Sequence, residues 1–95
     1  MDKSKLLLSG LRALLGNITP NVRRISINQD RTNLLLFFYY DMDPTEVEIE
    51  LSEIAASEII ADFSEPFLIN CERLVVKSPE RINEEGDLLY SRYEP

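Results

Sequence analysis

Apolar residues recur at helical spacing near the start of the chain. Leu7, Leu11, Leu14 and Leu15 fall at i, i+4, i+7 and i+8, which predicts a one-sided helix over residues 3–15. Gly16 offers it a stop, and Pro20 prevents its continuation. The period then changes to two. Ile25 and Ile27 share one face of a strand from Val22 to Asn28, and the polar segment 28–33 reads as a hairpin turn. Leu34 to Tyr40 is apolar and aromatic on both faces, as in a central strand or one whose second face is covered.

The strongest local signal follows. In Asp43-Pro44-Thr45-Glu46, Asp43 suits a helix cap, Pro44 the first helical position and Glu46 the third residue of a capping box. A helix to about Phe63 is predicted, with Val47, Leu51, Ile54, Ala55 and Ile59 as its buried stripe. Glu65-Pro66 would end it. Phe67 to Lys77 forms a third strand with Phe67, Ile69, Cys71 and Val75 on one face. Ser78 to Glu85 is a loop and Asp87 to Glu94 a fourth strand. The order α-β-β-α-β-β over 95 residues predicts a single α+β domain. Two hairpins would build an antiparallel four-stranded sheet with both helices on one face and the other face wet or bound.

Composition narrows the chemistry. The chain has no histidine and one cysteine, so Ser-His and Cys-His nucleophile pairs and the common zinc sites are excluded within it, as is an intrachain disulfide. No cofactor is expected. The longest apolar run, Leu34 to Tyr40, is far below the ~20 residues of a membrane-spanning helix, and no cleavable leader pattern follows Leu6-Leu7-Leu8. A cytoplasmic protein with no membrane partner is expected.

The net charge of −7 is unevenly spread. Residues 32–72 contain no lysine or arginine and ten acids: Asp41, Asp43, Glu46, Glu48, Glu50, Glu53, Glu58, Asp62, Glu65 and Glu72. Ordinary surface helices intersperse both signs. Glu46, Glu50 and Glu53 should face solvent. Glu58 and Asp62 lie one turn apart toward the helix end that disfavours carboxylates. With Asp41, Tyr39 and Tyr90 these are the candidate partner-binding residues; tyrosine is enriched at interfaces. Glu58 and Asp62 as an acid/base pair or divalent-metal site is disfavoured, because no phosphate-binding glycine loop or catalytic base accompanies them. Arg23-Arg24 with Lys3, Lys5 and Arg12 could meet phosphate, but the acidic remainder and the lack of an RNA-binding signature weigh against nucleic acid. Cys71 is expected as inert packing. The residues therefore point to a non-enzymatic protein that binds another macromolecule, steered by charge toward a basic partner.

Five stretches in order carry a resemblance. They are Leu11-Arg12-Ala13-Leu14-Leu15-Gly16, Ile18-Thr19-Pro20-Asn21-Val22-Arg23, Phe37-Phe38-Tyr39-Tyr40-Asp41, Ser57-Glu58-Ile59-Ile60-Ala61-Asp62-Phe63 and Gly86-Asp87-Leu88-Leu89-Tyr90-Ser91-Arg92. Together they resemble small bacterial immunity proteins of polymorphic-toxin and contact-dependent growth inhibition systems. The resemblance implies a cytoplasmic antidote to a cognate toxin domain, with a nuclease and its basic cleft as the expected target, and no catalytic positions. An adaptor or nucleic-acid mimic acting on a basic host or phage protein is the alternative. A self-pairing dimer through Leu34–Tyr40 is left open.

Overall fold

The computed structural model describes residues 3–63, 67–83 and 86–94. Its elements are α1 (Lys3–Ala13), β1 (Val22–Asp30), β2 (Asn33–Tyr40), α2 (Glu46–Ala61), β3 (Leu68–Val75) and β4 (Asp87–Ser91). The α-β-β-α-β-β order is as predicted. The proposed helix break at Glu65-Pro66 lies outside the described residues.

The sheet corrects the expected topology. Strand order is β3-β2-β1-β4, and β3 runs parallel to β2 while the other pairs are antiparallel. The sheet is therefore mixed. A strand that follows a helix packed on the same sheet returns in the direction of the strand before it, so β2-α2-β3 is a crossover unit and not half of a hairpin. β1 and β2 do form a hairpin, joined through Arg31 at φ 57° and Thr32. β2, lying between β1 and β3, has no free edge, so the strand pairing through Leu34–Tyr40 that the sequence left open to a second copy is taken up within the chain.

With β3 and β4 at opposite ends of the sheet, the segment between them must cross from one edge to the other. Its described part, residues 76–83, lies over the sheet face away from the helices. Ile82 and Val76 pack there on Phe37, Tyr39 and Leu35, and the Phe37 and Tyr39 rings stack with centroids 6.4 Å apart. That face is partly covered by the chain itself rather than left wet, and this explains why β2 is apolar on both sides. The main core fills the other face, with Ile25, Ile27, Leu34, Leu36, Phe38 and Tyr40 from the sheet against Leu6, Ala13, Ala55 and Ile59 from the helices. Cys71 packs at the margin of this core, as expected.

Both helices are rotated from their predicted orientation. α1 buries Leu6, Ser9, Gly10 and Ala13, while Leu11 and Leu15 are exposed. Small residues at this face allow close approach: a side chain at Gly10 would sit 2.8 Å from Leu89. α2 buries Glu48, Ser52, Ala55, Ala56 and Ile59, and leaves Val47 63% and Ile54 39% exposed. Aliphatic periodicity misplaced these stripes because the inward polar groups are hydrogen-bonded and so cost little to bury.

A buried cation pins the crossing segment. At the β1 bulge, where the pairing with β2 shifts register between Val22 and Arg24, Arg23 is only 4% exposed. Its Nε and Nη2 donate to the two carboxylate oxygens of Glu94 at 2.7 and 2.8 Å, and its Nη1 donates to the Val76 and Glu80 carbonyls at 2.6 and 2.9 Å. Arg92 bridges Glu94 and Asp41, and Asp41 also accepts from the Ser78 backbone N–H at 2.7 Å. The Ser78 N–H and the Arg92 guanidinium hold the Asp41 carboxyl below the usual carboxylate range. Hydrogen bonds from Arg23 and Arg92 hold the Glu94 carboxyl down at about 2.

Two predictions follow from the fold itself. Gly86 has φ 81°, and a Cβ there would meet the Ile27 backbone, 2.7 Å from its carbonyl carbon. Gly16 has φ 79° but open space around it. In urea unfolding, Gly16→Ala should cost about 1 kcal/mol and Gly86→Ala clearly more, by a further ~1–3 kcal/mol of overpacking. Equal losses would remove the clash as the cause. The second concerns acid. Because the folded Glu94 pKa lies below its unfolded value of about 4.3, its contribution is complete above roughly pH 5 and is lost as pH falls toward 2. Glu94→Gln should flatten that acid limb and cost about 1–3 kcal/mol at pH 7, read by unfolding at several pH values.

Candidate functional site

The exposed face of α2 is the candidate site. It begins at a well-made cap, one residue pair later than predicted. Thr45, not Asp43, is the N-cap: its Oγ1 accepts from the Glu48 N–H at 3.1 Å, and Glu48 Oε1 accepts from the Thr45 N–H at 3.0 Å. The same carboxylate also accepts from the Thr19 hydroxyl and from Asn21 Nδ2. Burial raises the Glu48 pKa, but these hydrogen bonds outweigh it and hold the group below its ordinary range. Glu48 thereby fixes the rotation of α2 about its axis. Farther along, Ser52 Oγ donates to the Ile49 carbonyl at 2.6 Å and accepts from Arg73 at 3.3 Å, so the helix meets β3 through a polar contact.

With that rotation set, the outward face follows from helical spacing. Val47, Ile54 and Ala61 recur every seven residues and form an apolar ridge. Glu50 lies beside the ridge on one flank, with Glu46 and Glu53 beyond it, and Glu58 lies on the other flank. Glu50, Glu53, Ile54, Ser57, Glu58 and Ala61 surround a shallow depression of about 440 Å³. Among the described residues, Glu53 has one cationic neighbour, Arg73 at 3.9 Å, and Glu46, Glu50 and Glu58 have no ion pair. No basic residue occupies the last turn, so nothing on the helix itself offsets these charges.

The other candidates separate from this face. Asp62 accepts from Ser9 Oγ at 2.6 Å and borders Lys5 and Arg12, which ties it to α1. Asp62 is thus engaged with α1, whereas Glu58 borders the depression on α2. Asp41 is committed to Ser78 and Arg92. Tyr39 is 4% exposed and packs under the crossing segment, so it presents no contact surface. Tyr90 is half-buried against the main core. Arg23 is spent inside the protein and does not face phosphate. Among the described residues no cluster of three or more carboxylate or thiol groups could hold a metal ion, and no helix is long and apolar enough to cross a membrane. Burial pushes the Cys71 thiol up and the Tyr40 hydroxyl to about 12, away from reactive values.

Sequence reasoning missed the apolar half of this surface, because Val47 and Ile54 were assigned to the core. The available signal was Glu48: a carboxylate three residues after Thr45 also satisfies the capping-box spacing, and it turns Val47 outward.

No curated protein matches the sequence. The MafI2 immunity protein family matches it over residues 3–94, nearly its whole length and every described element, and the chain belongs to that family.

Proposed function

We propose that this immunity protein neutralises its cognate toxin through the outward face of α2, and that the toxin is a nuclease with a basic cleft. The family is one of immunity proteins and is not known as an enzyme family, so a binding surface and not a catalytic centre is sought. The observation that carries the reading is the run of Glu46, Glu50 and Glu58, which have no ion pair among the described residues, beside Glu53 and around the exposed Val47 and Ile54. Carboxylates at a rim accelerate encounter with a basic partner, and desolvated aliphatic anchors at the centre slow its release. A nucleic-acid cleft supplies the matching positive charge. In this reading the protein works in the cytoplasm, where a delivered nuclease would meet its substrate, and Asp41, Asp62, Tyr39 and Tyr90 support the fold instead of touching the toxin.

The test takes as partner the C-terminal domain of a toxin whose gene, found by sequencing the host locus, lies directly upstream of this chain's gene. Stopped-flow association should slow about tenfold or more between 50 and 500 mM salt. The double reversal Glu50→Lys, Glu58→Lys should slow it severalfold while leaving the unfolding midpoint nearly unchanged. Ile54→Ser should act mainly on dissociation. Plasmid or transfer-RNA cleavage by the domain should stop on adding the wild-type chain. Binding that ignores both salt and charge reversal would overturn the acidic-face reading, and a domain that cleaves neither nucleic acid would overturn the nuclease assignment.

A further inference from the structure

β3 ends the sheet with an edge whose outward backbone groups have no backbone partner among the described residues. Leu68 N–H donates to the Thr32 carbonyl and Val76 N–H to the Tyr40 carbonyl, both at 2.9 Å. Backbone groups alternate sides along a strand, so the even-numbered residues face β2 and Ile69, Cys71, Arg73 and Val75 turn their N–H and C=O groups outward. Among the described residues none of these outward groups has a backbone partner. Unpaired strand edges are ordinarily blunted by short length, proline, charged side chains, lysine above all, an inward-pointing charge or a bulge. β3 is eight residues long, contains neither proline nor lysine, and pairs with β2 without a register shift from Leu68 to Val75. Its inward charge, Arg73, is held by Ser52 and Glu53 beneath α2. Leu68, Leu74 and Val75 are 66%, 40% and 47% exposed. The opposite edge, β4, has five residues and is bulged against β1.

Charge decides what fits this edge. A groove of about 310 Å³ runs between α2 and β3, lined by Glu53, Ala56, Ser57 and Ile60 on one side and Ile69, Cys71 and Arg73 on the other. Glu72 is exposed on the strand itself. A second copy paired antiparallel along this edge would set two acidic helices side by side on one continuous sheet, each from a chain of net charge −7. An extended segment of opposite sign is drawn to the exposed Glu72 and to the acidic face of α2, while the one cation in the groove wall, Arg73, is already paired with Glu53. Its side chains on the helix side would enter the groove beside Glu53, and those on the other side would lie against Leu68, Glu72 and Leu74.

Resting on the antidote reading above, we propose that an extended, lysine- or arginine-bearing segment of the cognate toxin pairs with the open edge of β3 and adds a fifth strand to the sheet. The edge adjoins the α2 face, so one partner can engage both. Backbone pairing supplies affinity, and the groove supplies the choice of side chains.

Amide exchange of the 15N-labelled chain, free and with the upstream toxin domain, tests this. The amides of Ile69, Cys71, Arg73 and Val75 should exchange fast in the free protein and about 100-fold more slowly in the complex, while Asn70, Glu72 and Leu74 are protected in both. Val75→Pro removes an outward N–H and no bond to β2; it should weaken binding about tenfold with thermal stability retained. If the complex forms and the odd-numbered amides stay fast, the edge is not the contact, although the antidote reading stands. If the domain does not bind at all, both readings fall. Protection already present in the free chain and growing with its concentration would assign the edge to a second copy and overturn the proposal.

Discussion

The structure depends on one buried cation. Arg23 sits almost out of solvent at a bulge in β1, and a guanidinium in that position is tolerable only if its donors are met. Glu94 takes two of its bonds and the carbonyls of Val76 and Glu80 take two more. Those partners come from both ends of the chain segment that leaves β3 and arrives beyond β4. Holding that segment across the sheet permits β3 and β4 to occupy opposite edges, and it roofs Phe37 and Tyr39 with Ile82. Removing one partner would leave charge buried beside an aromatic layer, which is why the acid sensitivity of Glu94 bears on the whole second face.

On the other face, the helices pack through their small and polar sides. Gly10 lets α1 close on Leu89, and Glu48 and Ser52 are buried because Thr19, Thr45, Asn21 and Arg73 satisfy them. The consequence is external: aliphatic side chains that would ordinarily fill a core remain outside, set among carboxylates on α2. A surface of this composition has the centre-and-rim arrangement of protein interfaces. It adjoins the open edge of β3, so the features proposed to face the partner lie together on α2 and β3, held in place by α1, β1 and β4.

Element order, the alternation that makes β1 and β2 strands, the apolar character of β2 on both faces and the forty-residue acidic stretch were legible from local pattern, because each depends on neighbours a few residues apart. The family resemblance was legible for the same reason, being carried by short contiguous stretches that the family match spans. Strand direction was not. Whether β3 pairs with β4 or returns beside β2 depends on where α2 docks, and no local spacing records that. Tyr39 shows the same limit: its residue type suits an interface, yet the crossing segment, distant in sequence, buries it.

By itself, then, the sequence determined which segments are helix or strand, that no histidine-based or disulfide chemistry is available, and that one helix is acidic with no basic residue of its own. Tertiary structure alone decided which side of that helix faces out. Helical periodicity ranks faces by hydrophobicity, whereas burial ranks them by whether every group they carry can be satisfied. The Glu48 carboxylate finds three partners inside and Val47 needs none outside, so the helix turns its carboxylate in and its valine to the surface.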